Sequence, residues 1–302
     1  MPNTVSIAHA SRHGKMADNI LVGTCNWSDH LGFYPSGVKP GDRLAYYARF
    51  FPIVEVDSTF YALQSERNFA KWADATPDNF VFNVKAYKAL TLHERDAQGQ
   101  TVAPTREIVE RFSGAIEPLR EAGKLRALHF QFPPWFVATD RTRTYLSQVR
   151  EMFPDDLLAI EFRHRSWLAP QERERTYETL RDLQMAYTIV DEPQGESNSV
   201  PPLVAVTNPA LAIIRFHGRN QETWNKPGLK GSQERFNYRY ATDELRGWLP
   251  NVNEVASEAA TVHLLFNNNA GNYAVVNGLE MRDLLGQPHE TPEAPVIQPR
   301  LL

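Results

Sequence analysis

The chain has 302 residues, 42% of them hydrophobic and 23% charged, with a formal net charge of −4. That length suits two ordinary domains or one α/β barrel, and the acidic balance speaks against a broad nucleic-acid or membrane surface while leaving room for a local basic pocket. The single cysteine, Cys25, excludes an internal disulfide or a thiolate metal cluster within one chain, and with no apolar run of about 18 residues and no secretory h-region the expected location is the cytoplasm.

In chain order, residues 1–18 read as a loose N-terminal extension. The first two strands expected are "NILVGTC" (19–25) and "FPIVEVD" (51–57), followed by "NFVFNVKA" (79–86). "TREIVERFSGAIEPLREAG" (105–123) then gathers Ile108, Phe112, Ala115, Ile116 and Leu119 on one helical face, with Gly123 placed to end it. The strands "LRALHFQF" (125–132) and "DLLAIEFR" (156–163) follow. "PQERERTYETLRDLQ" (170–184) is an amphipathic helix on Tyr177, Leu180 and Leu183. After "MAYTIVD" (185–191) and "ALAIIRFHG" (210–218), the run "TDELRGWLP" predicts a helix capped by Thr242 and stopped by Pro250. "TVHLLFNN" (261–268) is the last strand and "GNYAVVNGLEMRDLLG" the closing helix. Eight strand–helix units in one α/β domain predict a (β/α)8 TIM barrel over 19–285, followed by a Pro-rich tail over 286–302 that is ordered only where it packs back. The competing open, doubly wound sheet lacks support, because no G-x-G-x-x-G follows any strand.

Alternate strand residues share a face. The apolar sets Val54/Val56, Phe82/Val84, Leu128/Phe130/Phe132, Ile160/Phe162, Ile214/Phe216 and Leu264/Phe266 should face the helices. The lumen should then receive Glu55/Asp57, Asn83/Lys85, His129/Gln131, Glu161/Arg163, Arg215/His217 and His263/Asn267, with Asp191 ending the sixth strand. Four acids (Glu55, Asp57, Glu161, Asp191) thus meet three bases (Lys85, Arg163, Arg215) and several imidazoles. Buried ions must be paired, hydrated or neutralised. A structural salt-bridge network is one explanation; an active site is the other, since the polar residues come late in their strands, where barrel enzymes hold their chemistry.

The segments "GTCNWSD", "VEVDSTFYAL", "FVFNVKAYKALTLH", "HFQFPPWF", "AIEFRHRSWL", "IIRFHGRN" and "FNNNAGNYAVVNG" run in order from about residue 20 to 285 and resemble the DUF72 family, also called YecE-like proteins. The resemblance implies a TIM barrel and no settled reaction; likeness to endonuclease IV and sugar-isomerase barrels has been suggested for the family. The chain departs from the family pattern at Asp57, where Asn is usual, and at Gln64, where Pro is usual.

Read residue by residue, Glu161, Asp191, His217 and Lys85 are the candidates for proton handling. Arg163 and Arg215 are the anion clamp, since guanidinium suits planar, bidentate recognition. Asp57, Asn267, Asn268, Tyr61 and Trp27 are further substrate contacts, and Trp135, Trp167 and Trp224 also fall near strand ends. No HxH, HExxH or CxxC spacing marks a metal, so no metal ligand is assigned, although Glu161, Asp191 and His217 could together hold a divalent ion. Three functions stay open. The first is an enzyme acting on a small, anionic, sugar-like molecule at the barrel mouth. The second is an endonuclease-like metal phosphodiesterase or nucleic-acid-binding barrel. The third is a non-catalytic ligand-binding barrel. The polar segment "RNQETWNKPGLKGSQERFNYRY" after the seventh strand is long for a connection.

Overall fold

The computed structural model describes residues 19–293 apart from 197 and 230. The N-terminal extension over 1–18 and the last part of the tail, 294–302, lie outside the described residues. Eight parallel strands close into one barrel in sequence order: β1 Ile20–Cys25, β2 Ile53–Val56, β3 Val81–Lys85, β4 Leu125–Gln131, β5 Leu158–Glu161, β6 Met185–Asp191, β7 Ala212–Phe216 and β8 Val262–Phe266. Closure is set by β1 pairing with both β2 and β8, as in Thr24 opposite Val54 and opposite Phe266. Gly23 makes the β1–β2 contact possible, because a Cβ there would stand 2.2 Å from the Ile53 carbonyl oxygen. No helix among the described residues is long and apolar enough to cross a membrane.

The alternation along the strands sorts two separate apolar clusters. Val54, Phe82, Leu128, Ile160, Ile214 and Leu264 pack outward under the helices. Ile53, Val81, Ala127, Ala159, Ala186, Ile213 and Leu265 form a second cluster in the lumen and plug its N-terminal half. Above that plug the lumen turns polar, so the core insulates the charged layer from the lower face.

Two helices depart from expectation. The stretch 105–123 is broken into Arg106–Ala115 and Glu117–Glu121, because Pro118 has no N–H to give Gly114 and its ring crowds that carbonyl. Gly123 does take the left-handed conformation, φ +66°. Pro250, by contrast, does not stop its helix, which runs Thr242–Glu258. Pro250 is exposed, so the carbonyl it frees meets water, while Val252, Val255 and Ala256 on the following turns are buried. Thr242 is the first helical residue and Ala241 the cap; the Glu244 carboxylate accepts from the Ala241 N–H at 2.9 Å. The described part of the tail packs back, with Glu290 and Glu293 both paired to Arg49.

Candidate functional site

The polar layer is built from the last inward residue or two of six strands. Glu161 at the end of β5 is fully buried and surrounded. Its Oε1 lies 2.5 Å from Arg163 Nε and 3.2 Å from His217 Nε2; its Oε2 lies 2.6 Å from Arg215 Nη1 and 3.3 Å from His129 Nε2. Arg215, from the middle of β7, reaches across the lumen and places Nη2 2.5 Å from Glu55 Oε1. His129 closes the ring, its Nδ1 3.0 Å from Glu55 Oε2. Below this ring Asn83 meets His263 at 3.1 Å.

Burial alone would raise the pKa of both carboxyls, yet the opposing charges win. Arg163, Arg215 and His217 hold Glu161 well below the usual range, and Arg215 and His129 do so for Glu55. Burial pushes His129 down, but Glu55 and Glu161 raise it overall. A carboxylate held this firmly is a poor proton acceptor near neutrality and a good orienting group.

His217 is the group being oriented. Asn267 Nδ2 lies 2.9 Å from its Nδ1, while its Nε2 lies 3.0 Å from Arg163 Nη2 and 3.2 Å from Glu161 Oε1, so the ring is fixed from both edges. Burial and then Arg163 lower its pKa to about 3. Phe236 lies against its ring, centroids 5.6 Å apart, and Trp224 covers Arg163 with its ring 5.4 Å from the guanidinium carbon. Both aromatics come from the long segment after β7, which begins at Gly218. Gly218 has φ +85°, and a Cβ there would stand 2.6 Å from Tyr238 Cβ. Gly218→Ala should therefore cost about 1–3 kcal/mol in a thermal melt, from left-handed strain and this clash; an unchanged melting curve would contradict the packing described.

Lys85 and Asp57 form the open end. They pair at 3.5 Å with side chains 12% and 19% exposed, and Lys85 Nζ also lies 5.2 Å over the Phe60 ring. Burial raises the Asp57 carboxyl, Glu55 adding to it against the pull of Lys85. Beside Phe60 stands His93, a residue the sequence reading passed over. It is partly buried, and burial, Lys85 and Arg163 lower it to about 4.

Several expected residues are not brought into this cluster. Asp191 is the main one: it points outward, where Arg219 holds it through two bonds of 2.8 and 2.5 Å and Trp248 Nε1 donates at 2.5 Å. The inward acid is the next residue, Glu192, which accepts from Arg163 Nη1 at 2.9 Å and from the Val200 N–H at 2.7 Å. Burial raises Glu192 to about 8. Counting by twos from the lumenal Ala186 finds it. Asn268 ties the β8 loop to Tyr238 and Asn277 rather than facing the lumen. Trp27 packs edge-on against Trp72, and Trp167 is fully buried in a stack with Phe162 and Phe136. Tyr61 stays exposed on the rim.

The donor set nearest to a metal site is Cys25, Glu55 and Asp57, whose ligand atoms lie within 4.8 Å of one another. It does not fit a divalent ion. Arg215 Nη2 already sits 3.2 Å from Cys25 Sγ and 2.5 Å from Glu55, so a guanidinium takes the place of the cation, and burial pushes the Cys25 thiol well up. Glu161, Asp191 and His217 do not converge either, because Asp191 faces the other way.

The DUF72 family model, described as proteins of unknown function, matches residues 21–300. The UPF0759 protein YunF of Bacillus subtilis (strain 168) is 37% identical over 269 residues, covering 88% of this chain and 94% of its own. A crystal structure of a DUF72 family protein from Enterococcus faecalis V583 superposes with a TM-score of 0.80 at 32% identity, covering 94% of this chain and 99% of that one. Another from Thermotoga maritima MSB8 gives 0.76 at 34%, covering 89% and 99%. Matched along nearly its whole length and sharing the closed eight-stranded barrel, the chain belongs to the DUF72 family.

Proposed function

We propose that the protein is an enzyme acting on a small, polar, anionic substrate, phosphorylated or carboxylated and sugar-like, by acid/base chemistry at the C-terminal mouth of the barrel. One observation carries this reading. Lys85 lies at the open end of an otherwise saturated network, over Phe60 and beside the partly buried imidazole of His93, with Arg163 buried behind it. Glu55, Glu161, Arg215 and His129 satisfy one another below and serve as a rigid support. Lys85 binds the anion, and the positive charge of Arg163 stands behind it, engaged with Glu161 and Glu192.

His93 is the imidazole such a substrate reaches first. His217, oriented by Glu161 and Asn267, stands behind Trp224 and Phe236. Both imidazoles are neutral without substrate, and a bound anion raises the proton affinity of each by offsetting the cations that depress it. Each thereby becomes a better base only when the site is filled. The metal phosphodiesterase reading loses support because Arg215 stands inside the nearest donor set. The single, buried Cys25 accords with a cytoplasmic setting.

Titration calorimetry with glucose 6-phosphate, galacturonate and glucose tests the reading. At least one of the two anions should bind, glucose should not, and Lys85→Gln should weaken the anion about 10- to 100-fold, the worth of a charge-assisted hydrogen bond. Anions that bind no better than glucose would sink it.

A further inference from the structure

An open cleft lies not over the charged layer but beside it, between the 92–103 loop and the helix Asp140–Met152. Its volume is about 710 Å³, within the ~300–1,000 Å³ that encloses a small organic ligand. Trp135 is one of its walls. This indole is built as a fixed platform: Nε1 donates to the Leu92 carbonyl at 3.2 Å, the Arg95 guanidinium lies 4.3 Å over the ring, and the residue is still 43% exposed.

Rings connect the platform to the proposed anion site without a break. His93 stands 5.8 Å from Trp135 and 4.8 Å from Phe60, and Lys85 Nζ caps Phe60. The exposed Tyr61 edges the same stair, 5.2 Å from Phe60. The rest of the cleft offers neutral hydrogen-bonding groups, Gln100, Thr101, Thr144 and Gln148, with Arg141 its one cationic side chain. With Arg95, held over the Trp135 ring, that makes two cations, few for a polyanion's backbone. Aromatic faces among amide and hydroxyl groups are the chemistry that holds a neutral pyranose ring, whose C–H face is apolar and whose rim is hydroxyl.

The geometry points to this cleft as a sugar subsite, so that the substrate is an acidic oligosaccharide or glycoside. Its anionic unit sits at Lys85, and its neutral rings run over His93 and Trp135 into the cleft. This rests on the anion-binding reading above and adds the length and chemistry of what is attached to the anion.

The test is binding of the full chain to an array of short acidic and neutral oligosaccharides, run with Trp135→Ala, Trp135→Phe and Lys85→Gln and read beside calorimetry with galacturonate and glucose 6-phosphate. Wild type should retain acidic oligosaccharides. Trp135→Ala should weaken them about tenfold or more, Trp135→Phe should keep most of the affinity, and neither should change the binding of the monomeric anions. Gln148→Ala, an exposed change on the far wall, should weaken the same oligosaccharides if Trp135→Ala disturbs the loop. Retention of no oligosaccharide, or equal retention by wild type and the Trp135→Ala and Gln148→Ala variants, overturns the subsite even where the monomeric anions bind. Neutral oligosaccharides held through Trp135 with Lys85→Gln indifferent would support the subsite and overturn the anion site instead.

Discussion

Replacing Arg215 by methionine should destabilise the barrel by about 3–5 kcal/mol, the cost of stranding buried charge, out of a total stability of about 5–15 kcal/mol for a typical protein. Arg215 is fully buried and touches both Glu55 and Glu161, at 2.5 and 2.6 Å, closer than His129 comes to either. Without it, Glu55 keeps only His129 at close range, and the Asp57 carboxyl 4.0 Å from Nη2 loses a counter-charge too. Urea denaturation should show a lower midpoint with an unchanged slope. Adding Glu55→Gln to Arg215→Met should restore part of the loss, since it removes one of the stranded anions; a double variant weaker than the single would mean that Glu55 is held by something other than Arg215. Lys85→Gln makes the contrast, because Lys85 and Asp57 pair at 3.5 Å at the partly open end of the layer, so the cost should be well below that of Arg215→Met. If Lys85→Gln proved as damaging to stability as Arg215→Met, the whole polar layer would be structural, as the non-catalytic reading has it.

The barrel and its charged lumen were legible because both follow from a period. Six strands alternate apolar with polar, and in a closed barrel one face has only the lumen to fill, so Glu55, Asn83, His129, Glu161, Arg215 and His263 could be aimed inward from spacing alone. The same rule, followed to the end of β6, would have chosen Glu192. Asp191 was preferred for closing the apolar run "AYTIV", but the outward parity it shares with Tyr187 and Ile189 carries it to Trp248 and Arg219. Loop residues have no period to read. Nothing local separates Trp167, buried in a ring stack, from Trp135, exposed on a cleft, because the difference lies in which distant loop packs on each. His93 was missed for the same reason: its neighbours Phe60, Lys85 and Trp135 come from three different strand ends. The prolines divide likewise. Pro118 breaks its helix by local chemistry, whereas Pro250 is overridden by burial of the turns beyond it.

Stability should peak near pH 6.5 and fall on the acid side, with His217 and His263 as its carriers. Burial, then Arg163 for one and Arg126 for the other, lowers both from about 6.5 to about 3. Between those values the unfolded chain binds two protons that the native one refuses, so each histidine removes about 1.4 kcal/mol per pH unit as the solution is acidified. Glu192 works the other way: raised to about 8 by burial, it is protonated in the native state from pH 8 down to its unfolded value near 4.5, so acidification across that window stabilises. His129, also raised, adds to that trend above pH 6.5. From 6.5 to 4.5 these two histidines and His93, itself lowered to about 4, therefore oppose one glutamate, a net loss of about 6 kcal/mol. Below 4.5 Glu192 is protonated in both states, and Glu55 and Glu161, held well below their usual values, join the histidines, so the fall steepens. Urea midpoints measured from pH 4 to 9 check this. His263→Gln should flatten the acid limb by about 1.4 kcal/mol per unit and leave the alkaline limb alone, while Glu192→Gln should flatten the alkaline limb and steepen the acid limb down to pH 4.5. A wild type whose stability is level from pH 6.5 to 4.5 would mean that these imidazoles take up protons in the folded barrel, and that water already reaches the layer assigned here to a dry, preorganised support.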